Sequence, residues 1–108
     1  KTIQDWHDPA GEARGIPELD FKVEPDFPSM QLSMDDAVIR TIDKAARAID
    51  MDLNYETAGG GSDANIFNGY GLQTAIIATG MTHVHSTDEQ ASLEDMVELT
   101  RLILALLT

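Results

Sequence analysis

Two short segments carry the residues whose types and spacing could do chemistry. The first is Gly59-Gly60-Gly61-Ser62-Asp63-Ala64-Asn65, and the second, about twenty residues on, is His83-Val84-His85-Ser86-Thr87-Asp88-Glu89. Three glycines let a backbone come close to a ligand, and a helix opening just after them presents free N–H groups to an anion. A carboxylate, a phosphate or a developing oxyanion would suit such a turn. A plainer alternative is a tight turn whose glycines supply positive φ, with Ser62 or Asp63 as the N-cap of a helix. The spacing matches neither the dinucleotide fingerprint nor the P-loop, and no lysine follows the glycines, so nucleotide binding has little support.

The histidine segment offers metal chemistry. On an extended backbone His83 and His85 would project to the same side, with Asp88 and Glu89 near enough to add oxygen ligands or to orient the imidazoles. The 108 residues include no cysteine, so any metal must be held by imidazole and carboxylate. Two imidazoles alone are an incomplete ligand set. The bland alternative is a polar loop at a strand end with solvated histidines. Ser86 and Thr87 are equally suited to a turn, and nothing at a recognisable spacing makes a Ser/His/Asp arrangement. The methionines at 30, 34, 51, 81 and 96 suit core filling better than ligation.

These segments must be positioned by regular elements, and the hydrophobic pattern supplies an alternation of them. Lys1 to Trp6 has one apolar stripe and no cap, as the tail of a helix would, and Asp8-Pro9-Ala10-Gly11 breaks it. Leu19 to Glu24 alternates apolar and charged residues as a half-buried strand does. Pro25 to Leu32 is an irregular connection with Phe27, Met30 and Leu32 as anchors, and it is the best candidate for a boundary. Ser33 and Asp36 form a capping-box-like start, after which Val38, Ile42, Ala45 and Ile49 predict a helix of about 15 residues. Asp52 to Thr57 reads as a short strand entering the glycines, and Ala64 to Asn68 as a short helix stopped by Gly69 and Gly71. Leu72 to Thr79, uninterrupted by charge, reads as a strand buried on both faces and closed by Gly80. Ser92 and Asp95 then cap a terminal helix carrying Leu93, Met96, Val97, Leu99, Ile103 and Leu107. The order predicts an α/β fold with crossover connections. In such folds ligands gather at the carboxyl ends of strands, which puts His85 near the end of Leu72 to Thr79, in one cleft with Ser62 and Asp63.

Size and charge bound the function. A chain of 108 residues holds one compact unit with a modest core. Nineteen acidic against seven basic residues give a formal charge of -12, a surface that repels phosphate backbones and anionic lipid. No nucleic-acid or membrane partner is expected. The longest apolar stretch, Leu102 to Leu107, is far too short to span a bilayer, and the residues after Lys1 lack a signal-peptide pattern. With no cysteine the chain suits a reducing cytosol, and a cytoplasmic location is expected. The start on Lys1, without a methionine, reads as that of a fragment.

At the glycine and histidine segments the sequence resembles the zinc-dependent metallo-exopeptidase family that includes peptidase T, aminoacylase and succinyl-diaminopimelate desuccinylase. The closest resemblance is to the C-terminal portion of the peptidase T-like tripeptidases. It rests on Gly59 to Asn65, on Val84-His85-Ser86-Thr87 with Glu89, and on Phe21-Lys22-Val23-Glu24-Pro25-Asp26-Phe27-Pro28, and it covers the chain from about Leu19 onward. The resemblance implies an α/β fold in which residues 1–32 end an α+β lid or dimerisation domain. Residues 33–108 would then be the strand-helix-strand-helix C-terminal segment of a catalytic domain that holds two zinc ions. It implies His85 as a metal ligand, and Gly60, Gly61, Ser62, Asp63 and Asn65 as substrate-side residues, with short peptides as substrate. His83 has no counterpart in that pattern. In the complete enzyme, paired zincs would lower the pKa of a bridging water that a carboxylate base directs at the peptide carbonyl.

Part of that machinery is absent from the sequence. The family's His-x-Asp motif and its Glu-Glu pair do not occur here, and the arginines Arg14, Arg40, Arg47 and Arg101 sit in loop or helix contexts. The N-terminal half of the catalytic domain is therefore an expected partner, and strand edges or apolar faces left bare without it favour a homo-oligomer. The competing class is a non-enzymatic module that binds a small carboxylate or a protein partner. Because a hydrolytic zinc site needs about three protein ligands and an open position, the isolated chain should hydrolyse neither tripeptides, dipeptides nor N-acyl amino acids when zinc or manganese is added. Steady turnover by the purified chain in that assay would contradict this reading.

Overall fold

A computed structural model describes residues 20–108. The expected helix tail Lys1 to Trp6, the break at Asp8 to Gly11, Arg14 and the first strand position, Leu19, lie outside the described residues. Three helices form among those that are described: α1 (Ala37–Ala48), α2 (Asp63–Gly69) and α3 (Leu93–Leu107).

The stripe of apolar residues makes α1 amphipathic and turns Ile39, Ile42, Ala45 and Ala46 inward. Its start differs from the expected one. The Ser33 N–H donates to Asp36 Oδ2 at 2.7 Å and the Asp35 N–H to Ser33 Oγ at 3.2 Å, so the two side chains build a turn ahead of the helix. Asp36 is the N-cap, and the helix runs 12 residues instead of about 15. Its first turn finds a tertiary partner. The Val38 N–H donates to Gln73 Oε1 at 3.4 Å, and Gln73 Nε2 donates to Asp36 Oδ1 at 3.1 Å. The other end closes with two nested bonds, from the Asp50 N–H to the Arg47 carbonyl and from the Met51 N–H to the Ala46 carbonyl. Asp50 is left-handed there at φ 53°. That pairing is the usual way a helix satisfies its last carbonyls.

Ser92 caps α3 as expected, its Oγ accepting the Asp95 N–H at 2.9 Å. α3 packs on α1 through Leu102, which is 2% exposed against Ile42, Ala45 and Ala46. The two alanines leave room for a leucine where larger side chains would hold the helices apart. Removing such a side chain from water is worth roughly 1.5–3 kcal/mol. Around this contact gather Met51, Leu53, Ala75 and Ile77, from the segments between helices.

Those segments do not form the expected strands. No strand forms among the described residues, where the one β-bridge is the antiparallel pair Thr82 and Gln90. Leu53, Ala75 and Ile77 nevertheless lie on the helices. A strand also needs a neighbour to take its N–H and C=O groups, and neither Asp52 to Thr57 nor Leu72 to Thr79 has one here. The latter segment was expected to be buried on both faces, yet it is covered on one only, with Ile76 56% exposed. Val23, in the expected strand Leu19 to Glu24, is 81% exposed. The Tyr55 hydroxyl reaches Asp43 Oδ1 at 3.4 Å and ties the first of these segments to α1. Desolvation, then the Asp43 charge, push its pKa up.

Leu102→Ala should lower stability by roughly 2–5 kcal/mol, because the cavity opens at the contact between α1 and α3. Leu107→Ala, at a position 79% exposed in this chain, should stay within about 0.5 kcal/mol. Urea unfolding of the two variants checks the difference.

Candidate functional site

The glycine turn is built by reciprocal capping. Ser62 Oγ accepts the Ala64 N–H at 3.1 Å, and Asn65 Oδ1 reaches back to accept the Ser62 N–H at 2.9 Å. The Asn65 N–H bonds the Ser62 carbonyl at 3.0 Å. The first-turn donors of α2 are thus met largely by its own cap. Asn65 is 5% exposed, and its other amide atom, Nδ2, donates to the Pro28 carbonyl at 2.9 Å. One side chain therefore holds both the start of α2 and the connection Phe27 to Met30.

The explanation of the three glycines as positive-φ residues does not hold, because the left-handed glycines among the described residues are Gly71 and Gly80. At Gly61 the end of the half-exposed Phe27 ring lies where a Cβ would go, so a side chain there would push the ring aside, whereas a Cβ at Gly59 or Gly60 would meet nothing. At Gly69 the nearest neighbour is Pro28 Cγ, 3.0 Å from where a Cβ would sit. Asn68 completes the frame. Its Nδ2 donates to the Ala64 and Thr74 carbonyls, both at 2.7 Å, and its Oδ1 accepts the Thr74 N–H at 3.2 Å. Gly60, Ser62 and Asp63 remain exposed.

The histidine segment is a closed turn. Thr82 and Gln90 exchange backbone bonds of 2.9 and 3.1 Å at its neck. His83 and His85 both take left-handed backbone, at φ 54° and 64°. The expectation that an extended strand projects them to one side is therefore overturned. Such a conformation costs an L-residue roughly 1–2 kcal/mol, although histidine tolerates it better than most. Side chains hold it in place. The His85 N–H donates to Glu89 Oε2 at 2.9 Å, Ser86 Oγ donates to the His83 carbonyl at 2.7 Å, and the Asp88 N–H donates to Ser86 Oγ at 3.1 Å. Glu89 thus serves the backbone of His85, and the Ser86 hydroxyl is engaged within the turn.

No group of three or more His, Asp or Glu side chains capable of holding a metal occurs among the described residues. The implied pair of zinc ions does not fit these residues alone. They offer the imidazoles of His83 and His85 on one turn, and no reaction step follows from that. Two apolar grooves, of about 180 and 370 Å³, flank the segment Leu72 to Thr79, one against Leu99 and Leu102 and the other against Val38 and Leu106. Neither is lined by the glycine turn or by His85. Arg47 and Arg101 are paired with Asp43 and Glu98 on their own helices.

Sequence reasoning passed over Asn68, Gln73 and the seating of Phe27. Asn68 lies three residues after Asn65, one turn along the same helix face, which is the signal that could have drawn attention to it.

Residues 7–108 match the pattern described as peptidase family M20/M25/M40, and the chain belongs to that family. It is also similar to the uncharacterized protein YqjE of Bacillus subtilis (strain 168), with 28% identity over 102 residues. That alignment takes in 94% of this chain and 27% of the relative, so the chain spans about a quarter of that protein's length. No solved structure matches. Among the described residues no helix is long and apolar enough to cross a membrane.

Glu89→Ala should expose the His85 amide, raising its hydrogen-exchange rate by roughly tenfold, the scale of one hydrogen bond to a charged group. The Thr82 and Gln90 amides at the neck should keep their protection. Exchange followed by NMR reads both.

Proposed function

We propose that this chain is the C-terminal part of a zinc-dependent exopeptidase of the tripeptidase type, acting on short peptides in the cytoplasm. The observation that carries the reading is the family pattern itself, which runs from residue 7 to residue 108 through both the glycine turn and the histidine turn. In this reading residues 1–32 end a lid or dimerisation domain and residues 33–108 return to the catalytic domain. His85 supplies one metal ligand, and the remaining ligands come from polypeptide outside this chain. Gly60, Gly61, Ser62, Asp63 and Asn65 form the substrate side. The turn holds both backbones, His83 through its carbonyl by Ser86 and His85 through its N–H by Glu89, so the choice of His85 over His83 rests on the resemblance.

Alone, the chain is inactive and its apolar surfaces are open. Leu93, Val97, Leu104 and Leu107 on α3 are all exposed, and these are faces that the missing catalytic half, or a second copy in a homo-oligomer, would cover. A non-enzymatic carboxylate-binding module stays as the second reading, since the Gly-Ser-Asp turn is exposed and its cap is closed by residues of this chain.

The deciding experiment uses the complete protein that carries this segment. His85→Ala should remove at least one equivalent of bound zinc and lower tripeptide turnover by roughly a hundredfold or more, as loss of a direct ligand does. His83→Ala should change both by less than about threefold. Equal losses from the two variants would assign the wrong histidine, and full turnover by His85→Ala would reject the reading.

A further inference from the structure

The connection Phe27 to Met30 touches the glycine turn at two places and the end of α2 at another. The end of the Phe27 ring lies over Gly61, the Pro28 carbonyl accepts from Asn65 Nδ2, and Pro28 Cγ lies 3.0 Å from where a Cβ of Gly69 would sit. The Met30 sulfur lies 3.5 Å from Asn68 Nδ2, whose two N–H groups go to the Ala64 and Thr74 carbonyls. Both polar atoms of the buried Asn65 amide are engaged within the chain, Oδ1 by the Ser62 N–H and Nδ2 by the Pro28 carbonyl. The arrangement joins two stretches of chain that are more than thirty residues apart in sequence.

We propose that Phe27 and Asn65 are positioning residues for the glycine turn: the connection ahead of α1 is keyed into the turn and sets its shape. This rests on the reading of the turn as substrate-side. Asn65 then acts on a substrate by holding Ser62 and Gly61 in place.

The variants separate the parts of the key. Asn65→Asp keeps an acceptor for the Ser62 N–H but cannot donate to Pro28, so the cap survives and the connection is released. Phe27→Ala empties the seat, and Gly61→Ala fills it. In the 108-residue chain, the Gly61 α-protons should be displaced upfield by the aromatic ring in NMR spectra, and Phe27→Ala should abolish this. Asn65→Asp should reduce it and shift the Gly60 and Asp63 amides, while the Ser62 amide keeps its protection from exchange. Gly61→Ala should lower the thermal midpoint in the parent chain and have almost no added effect in the Phe27→Ala background.

In the complete protein, Phe27→Ala and Asn65→Asp should raise KM for a tripeptide by roughly tenfold, in line with a misplaced binding group, with kcat within about twofold. Phe27→Leu should restore part of that loss. Gly61 protons at their ordinary shift in the parent chain, or additive effects of Gly61→Ala and Phe27→Ala, would overturn the keying. An unchanged KM in variants whose turn has shifted would overturn the positioning role. A complete protein that hydrolyses no peptide would instead reject the peptidase reading, and the chemical shifts would still decide the key.

Discussion

The described structure depends on one contact, Leu102 of α3 resting on Ala45 and Ala46 of α1. It joins the two longer helices, and the intervening segments have nothing else to lie on. Leu53, Ala75 and Ile77 all find their cover around it. Once that contact is made, Gln73 is brought to the start of α1 and can meet the Val38 N–H. The core is small because many large apolar side chains, among them Ile76, Leu93, Val97, Leu104 and Leu107, stay exposed.

Both candidate turns use the same economy of means, in which side chains satisfy backbone groups close by. Ser62 and Asn65 complete the start of α2, while Ser86 and Glu89 complete the histidine turn. Such local bonds compete well with regular structure because they cost little loop entropy. They let exposed turns hold a defined shape with almost no hydrophobic burial. The price falls on His83 and His85, whose left-handed backbone is held against its own preference.

The helices were legible in the sequence because their information is local. The stripe Val38, Ile42, Ala45 and Ile49 located α1, Ser92 marked the start of α3, and Ser62 was an expected cap for α2. The cap of α1 was misread by three residues, since Ser33 and Asp36 serve equally well to build a turn before a helix as to open one. The strands were not legible to the same degree. The run Leu72 to Thr79, uninterrupted by charge, was expected to be buried on both faces and is covered on one, and pairing is a property of two segments, so the sequence of one cannot supply its neighbour. The candidate site divided in the same way. The histidine turn could be located from residue types, but its left-handed geometry could not be read from a spacing of two. Asn65 was visible as a polar residue near a turn, and its grip on Pro28 depends on a fold-level approach that no local pattern reports.

The missing side chain at Gly61 carries a consequence for the sequences of relatives. Space at that point is shared between two residues far apart along the chain, so neither can be judged conservative or radical alone. An aromatic residue at the position of Phe27 favours glycine at the position of Gly61, since a larger residue at Gly61 obliges the ring to turn aside, whereas a small residue at Phe27 releases the constraint. The pair is a compositional rule carried by the fold, and in an alignment it would surface as two columns that change together although nothing in either column names the other.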